Sequence, residues 1–267
     1  MEKADSNTKS GVVVYLDALG TSNRTIEASG EFIKKRNTFL KCAEESWKIR
    51  EGQFKNDLEY HLPKPEIATV QDSIIICWSN EEQKQNSLPI YLSAGQWLID
   101  AISWAIGYEL FFRGSISVGD YIFNTSPNNV TVIGPAVYKA THCEPFADWI
   151  GVIQTPDCQK EFLSFCNYEA KKENLPLNAV IERYQFMFVP YPIPHKVKNK
   201  GNIITKKNCY ALSWPFTACR IEQKISISQV LLNNSLSVNE EYKSKYDNAN
   251  EFLEWYKKNI FPKIPKQ

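Results

Sequence analysis

Two kinds of hydrophobic pattern occur in the first part of the chain, a continuous apolar run and apolar residues at helical spacing. A continuous apolar run from Val12 to Leu16 is typical of a central strand buried on both faces. Apolar residues at helical spacing predict helices from about Thr25 to Arg50 and from Pro89 to Ile106. The chain therefore opens as a strand followed by alternating helical and extended segments.

Short apolar runs then predict the strands of a sheet. Ile67–Val70 and Ile74–Trp78 flank a polar turn and predict a β-hairpin with Asp72 at or beside its tip. Leu110–Val118 and Val130–Ile133 predict two more strands, and a helix opens directly afterwards. Up to about residue 153 the order β, α, β, β, α, β, β, α, β favours a ferredoxin-like, palm-type α+β sheet with helices on one face.

The second part of the chain has a weaker pattern. It predicts a helix at Lys160–Ala170, strands near Tyr184–Val189 and Tyr210–Trp214, and a last helix near Asp247–Asn259. The Pro-rich, then basic segment 189–202 suits a surface loop. We expect residues 1–10 to be disordered, residues 11–155 to form the core, and residues 156–267 to complete the same domain.

Composition limits the classes of partner and compartment. A formal net charge of +1 gives no reason to expect nucleic acid or an anionic membrane as a bulk partner. Seven cysteines without a C-x-x-C pair argue against a zinc ribbon or a disulfide framework. No apolar run approaches the ~20 residues of a membrane span, and the first residues lack an apolar signal core. We expect a cytoplasmic protein.

Two carboxylates are candidates for chemistry. In a ferredoxin-like sheet, Asp17 at the end of the first strand and Asp72 at the hairpin tip would face each other, and two such carboxylates would hold divalent cations. Mg²⁺ or Mn²⁺ would suit these oxygen ligands, as two ions about 3.5–4 Å apart. The backbone of Gly20, Thr21 and Ser22, at the turn into the first helix, would offer N–H groups to a triphosphate. The plainer alternative is that Asp17 only caps a turn or helix.

Four motifs in order carry a family resemblance. LDALG, TVQDSIII, FRGSISVGD and IGPAVYKATHCE, within residues 11–155, resemble the pattern of class III nucleotidyl cyclases. The last two are closer to the pyrimidine cyclases of bacterial Pycsar antiphage defence. The resemblance implies that Asp17 and Asp72 bind two Mn²⁺ or Mg²⁺ ions, with the carbonyl oxygen of Ala18 as a third protein ligand.

The purine-reading positions of that family are altered. Ala68 stands where adenylate cyclases carry lysine and guanylate cyclases glutamate, and Thr131 stands where they carry aspartate or cysteine. Ala68 makes no hydrogen bond to a base, whereas the Thr131 hydroxyl can donate or accept one. The pair is compatible with a pyrimidine, UTP being favoured over CTP by the resemblance, but both residues are equally compatible with packing in a sheet.

The family's asparagine and transition-state arginine align with Tyr138 and His142. Tyr138 would stack on the ribose or base, and His142 would supply a proton or positive charge; alternatively, His142 is satisfied by Glu144. Arg113 would donate the missing charge, or else it is a buried structural arginine with a carboxylate partner. A basic run follows in the second part of the chain, at Lys196, Lys198 and Lys200. These lysines would either contact the triphosphate or simply be solvated.

The resemblance implies a homodimeric enzyme with its active sites between the two chains. It would convert a pyrimidine nucleoside triphosphate to its 3′,5′-cyclic monophosphate and pyrophosphate, and the product would act on a separate effector. Two alternatives stay open: a catalytically silent cyclase-like domain that binds a nucleotide or protein, and a purine cyclase that reads its base differently.

Overall fold

The structure is a computed structural model that describes residues 8–20, 25–54, 62–80, 89–126, 129–196, 204–222 and 224–264. Its strands are β1 (Thr8–Ala18), β2 (Glu66–Val70), β3 (Ser73–Ser79), β4 (Phe112–Ser126), β5 (Asn129–Ile133), β6 (Gly151–Gln154), β7 (Phe188–Lys196) and β8 (Ile204–Leu212). Its helices are α1 (Ile26–Phe54), α2 (Ile90–Gly107), α3 (Pro135–Cys143), α4 (Pro156–Glu173), α5 (Leu177–Arg183), α6 (Pro215–Ile221), α7 (Ile227–Ser237) and α8 (Glu240–Asn259). None of the helices in these ranges is long and apolar enough to cross a bilayer.

One mixed sheet organises the fold. Its strand order is β2-β3-β1-β4-β6-β8-β7, with β5 paired to β4. The first four strands have the ferredoxin-like order, so the predicted α+β class and the predicted element order to β6 are confirmed. β1 lies between β3 and β4 and pairs antiparallel with both, which places the end of the first strand at the centre of the sheet.

Both faces of β1 are buried, as its apolar run predicted. Val12, Val14 and Leu16 join the large core under α1 and α2, whereas Val13 joins a smaller cluster with residues of α3. Because side chains alternate along a strand, Asp17 shares the face of Val13. The expectation of helices on one face only was wrong, since α3 covers the face that Val13 would otherwise expose.

Other differences arise at the chain start and in the second half. Thr8 to Ser10 pair with β4, so these residues belong to a strand rather than to the disordered terminus expected for residues 1–10. The segment predicted as a Pro-rich loop contains β7, which pairs with β8 along its whole length. β7 ends the strand order, and an edge strand accepts prolines because one of its sides needs no N–H donors.

Candidate active site

Asp17 and Asp72 lie at one edge of the sheet. Asp17 pairs with Ser73 of β3 on one side and with Arg113 of β4 on the other. Asp72 directly precedes Ser73, in the tight turn between β2 and β3, where Gln71 has a left-handed φ of 54°. Arg36 of α1 donates to the carbonyl oxygen of Gln71 at 2.7 Å and so fixes this turn.

The Asp17 carboxylate is held from both neighbouring strands. Ser73 Oγ donates to Asp17 Oδ1 at 3.2 Å, and the Tyr15 hydroxyl lies 2.8 Å from Ser73 Oγ. Arg113 Nη2 lies 3.7 Å from Asp17 Oδ2. These contacts orient the carboxylate without surrounding it, because its side chain keeps 26% of its surface exposed.

The surroundings of Asp17 disfavour the negative charge of its carboxylate. Burial raises the pKa of the Asp17 carboxyl, and the nearby Asp72 carboxylate raises this pKa further. Arg113 and the Ser73 hydrogen bond lower it, but the net direction is upward. A carboxylate whose ionised form is disfavoured by a neighbouring carboxylate is stabilised when a divalent cation binds between the two.

Arg113 links Asp17 to a buried acid. Its Nε donates to Glu144 Oε1, and the Glu144 side chain is only 4% exposed. Burial raises the pKa of Glu144 to about 7 against the opposing effect of Arg113. Glu144 therefore pairs with Arg113 rather than with His142, and Arg113 contacts two carboxylates, those of Glu144 and Asp17.

The glycine of the FRG motif explains how Arg113 comes so close to β1. A Cβ at Gly114 would lie 2.5 Å from the carbonyl oxygen of Tyr15 and 2.7 Å from Leu16 Cδ2. Only glycine allows the two strands to approach at this point without displacing backbone. The close contact keeps Arg113 in register opposite Asp17.

The residue set fits a divalent cation that also takes oxygens from substrate and water. Within the described ranges, no three His, Cys, Asp or Glu side chains group together as a metal cage. Two carboxylates with phosphate and water oxygens are, however, a usual Mg²⁺ environment. Ala18 is buried and pairs with Phe112, and Gly20 forms an exposed turn with φ of 74°. Thr21 and Ser22, also expected at the phosphates, lie outside the described residues.

Tyr138 and His142 form a separate feature on α3. Their rings lie 3.7 Å apart between centroids, and His142 Nδ1 lies 2.9 Å from the Tyr138 carbonyl oxygen. Both side chains are exposed and line a groove of about 500 Å³ together with Phe146, His195 and Cys209. The groove lining includes neither Asp17 nor Asp72.

Ala68 and Thr131 are not brought together within one chain. Ala68 is 2% exposed and packs in the cluster under α3, which agrees with the packing interpretation of this residue. Thr131 lies on β5, and its neighbour Val132 packs against that same cluster, so Thr131 points to the other face. Its hydroxyl lies 3.4 Å from Asn129 Nδ2. Of the basic run, Lys198 and Lys200 lie outside the described residues, as does the side chain of Lys196.

Comparisons with known proteins gave similar folds only among solved structures. No family model and no curated protein matches the chain. The catalytic core of a rhodopsin-guanylyl cyclase with converted specificity, in complex with ATPαS, is 12% identical over 80% of this chain and 99% of its own, with a TM-score of 0.43. An adenylyl cyclase from P. aeruginosa is 12% identical over 77% of this chain and 94% of its own, with a TM-score of 0.42. A guanylyl cyclase domain from the aquatic fungus Blastocladiella emersonii is 12% identical over 76% and 96%, with a TM-score of 0.41. At 12% identity, none of the three fixes the substrate of this chain.

Sequence reasoning missed one cation whose charge acts on Asp17 and Glu144. Lys245 of α8 is 7% exposed, and its positive charge lowers the pKa of both Asp17 and Glu144. Nothing in the sequence marks it out, because Lys243 two residues earlier has the same character and remains more exposed. The C-terminal part of the chain therefore contributes charge to the candidate site.

Proposed function

We propose that this chain is a nucleotidyl cyclase that converts a pyrimidine nucleoside triphosphate, UTP or CTP, to its 3′,5′-cyclic monophosphate and pyrophosphate. The observation that carries the proposal is the meeting of Asp17 and Asp72 at one sheet edge, close enough for Asp72 to raise the pKa of Asp17. Asp17 of the motif LDALG lies near the end of β1, and Asp72 of the motif TVQDSIII lies in the turn between β2 and β3.

The residues of the site have separable roles in such a reaction. Asp17 and Asp72, with the carbonyl oxygen of Ala18, would hold two Mn²⁺ or Mg²⁺ ions, which when bound acidify the ribose 3′-hydroxyl and neutralise polyphosphate charge. Ser73 and Arg113 keep Asp17 in one orientation, so that the ligand geometry exists before substrate arrives. In-line attack of the 3′-oxygen on the α-phosphorus forms the ring, and pyrophosphate leaves with the bonding electrons.

The active site we propose is shared between two copies of the chain. Tyr138 and His142 are exposed on α3 and do not share a groove with Asp17 within one chain. In a two-fold dimer, the Tyr138 and His142 rings of one protomer would face the Asp17 and Asp72 carboxylates of the other. The symmetry would give two equivalent sites. Tyr138 would then stack on base or ribose, and His142 would supply the charge that the family's arginine supplies.

Mixing two inactive variants tests this arrangement. We expect Asp72→Ala and His142→Ala to be inactive alone and to recover about a quarter of wild-type activity when unfolded and refolded together in equal amounts. Half of the dimers would then be mixed, and each mixed dimer would have one intact site out of two. Additive residual activity, with no recovery on mixing, would show that both residues serve the same chain's site or that His142 has no role.

The choice of base is tested by competition. Neither purine-reading residue is present at Ala68 or Thr131, which supports a pyrimidine, and the motif resemblance favours UTP. With Mn²⁺ and an equimolar mixture of ATP, GTP, CTP and UTP, we expect cyclic UMP as the main product by mass, with cyclic CMP as the second. A purine product in excess would overturn the pyrimidine proposal while leaving the cyclase proposal intact.

The product would be a cytoplasmic second messenger that acts on a separate effector in antiphage defence.

One observation favours a second candidate function, that of a silent cyclase-like domain that binds nucleotide or protein. Tyr138 and His142 replace the family's asparagine and arginine and contact each other closely, rather than presenting two free polar groups. Turnover dependent on Mn²⁺ separates the two functions, since the silent domain would bind nucleotide without forming product.

A further inference from the structure

The loop that carries Asp72 has a backbone conformation that its sequence does not favour. Val70 of β2 pairs with Ser73 of β3, so Gln71 and Asp72 form a two-residue hairpin loop. Gln71 has a left-handed φ of 54° at the first central position, where such a loop prefers glycine. A side chain at this φ is sterically strained, whereas glycine adopts it without cost. The loop is therefore a place where a contact from outside the hairpin decides the conformation.

Arg36 of α1 supplies such a contact. Its Nη1 donates to the carbonyl oxygen of Gln71 at 2.7 Å, from 35 residues away along the chain. This oxygen belongs to the peptide unit that joins Gln71 to Asp72. Because a peptide unit is planar, fixing its oxygen also fixes the direction of the Asp72 nitrogen and Cα. The hydrogen bond therefore restrains the backbone from which the Asp72 side chain extends.

Arg36 itself is held in place by the core. Its guanidinium carbon lies 5.8 Å from the centroid of the Phe32 ring, one turn earlier on α1, and Phe32 is buried. About one turn later, Phe39 packs against Phe112 of β4 with ring centroids 5.3 Å apart. Since α1 is anchored on both sides of Arg36, the guanidinium is a fixed point against which the loop is held.

The strand register connects this restraint to the carboxylate pair. Asp17 pairs with Ser73, the residue that follows Asp72, and Ser73 Oγ donates to Asp17 Oδ1 at 3.2 Å. Asp17 belongs to the central strand β1, whereas Asp72 lies in the loop and depends on the loop conformation. A rotated Gln71–Asp72 peptide would carry the Asp72 carboxylate away from Asp17.

We propose that Arg36 is a positioning residue that sets the divalent-cation affinity of the site by holding the Gln71–Asp72 loop in its left-handed conformation. The inference rests on the proposed function for the metal site, on which Arg36 acts only through the loop. The apparent affinity for a ligand falls in proportion to the fraction of molecules in the binding-competent conformation. Loss of the Arg36 contact would lower this fraction, and glycine in place of Gln71 would restore it.

Calorimetric titration of the full chain with Mn²⁺ alone tests the proposal without turnover. We expect Arg36→Met and Arg36→Ala to weaken Mn²⁺ binding about tenfold, because about a tenth of the molecules would keep the competent loop. The sign is informative, since removing a positive charge near a cation site would by itself strengthen Mn²⁺ binding. Adding Gln71→Gly to either variant is expected to bring the Kd back to within about threefold of wild type.

The matched control is Lys34→Met, which removes an exposed cation from the same helix and should leave Mn²⁺ binding unchanged. Kinetics add a second readout where cyclic product forms. Arg36→Met should raise the Mn²⁺ concentration for half-maximal rate about tenfold and leave kcat at saturating Mn²⁺ within about threefold of wild type. A general loss of structure would lower kcat as well.

The outcomes separate this inference from the proposed function. Weaker Mn²⁺ binding that Gln71→Gly restores supports the role of Arg36 even if no triphosphate gives a cyclic product, in which case the proposed function alone fails. Unchanged or tighter binding in the Arg36 variants overturns the inference, and cyclic product from the wild type would then leave the cyclase standing. Weaker binding that Gln71→Gly does not restore, failure of both Arg36 variants to fold, or a wild-type protein that binds no Mn²⁺ also overturns it.

Discussion

Asp72→Asn is expected to lower cyclase activity by about 10³-fold or more, and Asp17→Asn by a similar factor. Each substitution removes one of the two carboxylates that would hold the divalent ions, and the charge stabilisation that such ions supply is a large share of the barrier. The asparagine keeps the size of the side chain, so the turn between β2 and β3 is preserved. Steady-state rates with saturating Mn²⁺ and triphosphate measure the effect.

The same variants should not lose stability in the absence of metal. The pKa of Asp17 is raised by burial and by Asp72, which means that the folded protein disfavours the ionised form of Asp17 beside the Asp72 carboxylate. Removing either charge is therefore expected to leave the melting temperature in chelator unchanged or higher, a usual relation between active-site charge and stability. The matched control is Asp247→Asn, an exposed aspartate of α8 bonded to Ser235, which should retain full activity. Activity above a tenth of wild type in either active-site variant would contradict the proposed role of the pair.

Arg113→Met is expected to cost about 3–5 kcal/mol of unfolding free energy. The substitution leaves Glu144 buried without its ion-pair partner, and it removes the cation beside Asp17. The companion change Glu144→Leu should cost less, because the remaining Arg113 still faces Asp17. Urea denaturation at pH 7.5, in chelator, measures both values.

The double variant decides whether the pair acts as a unit. Arg113→Met with Glu144→Leu should cost clearly less than the sum of the two single changes, since no buried charge is then left alone. The control pair is Lys9 and Glu66, which form an ion pair with roughly a quarter of each side chain exposed and should couple by at most about 1 kcal/mol. Additivity within about 0.5 kcal/mol for Arg113 and Glu144 would show that the buried pair is not coupled.

The local sequence pattern was sufficient to predict the elements that carry Asp17 and Asp72. The run Val12–Leu16 and the hairpin around Asp72 are short, β-branched apolar runs bounded by turn residues, which predicts strands, and a ferredoxin-like order then places their ends side by side. The face covered by α3 was not predictable in this way. Periodicity shows that a face is buried but does not show which helix buries it.

Contacts over long sequence distances were also missed. The sequence suggested His142 as a nearby partner of Glu144, whereas the structure shows that Glu144 accepts a hydrogen bond from Arg113, which is 31 residues away along the chain. α8, the helix that carries Lys245, is held against the rest of the fold through Asp148 and Phe111, and neither contact leaves a mark in the local sequence pattern. The prolines of β7 suggested a loop, since local propensity carries no information that the strand lies at an edge.

The most direct test of the central claim is the product formed with Mn²⁺ from each of UTP, CTP, ATP and GTP by the wild-type protein and by Asp72→Asn, identified by chromatography and mass. The account predicts 3′,5′-cyclic UMP and pyrophosphate in equal amounts from the wild type, with both lost together in the variant. UDP or linear UMP as the product, no product from any of the four triphosphates, or cyclic UMP that persists in Asp72→Asn would contradict it.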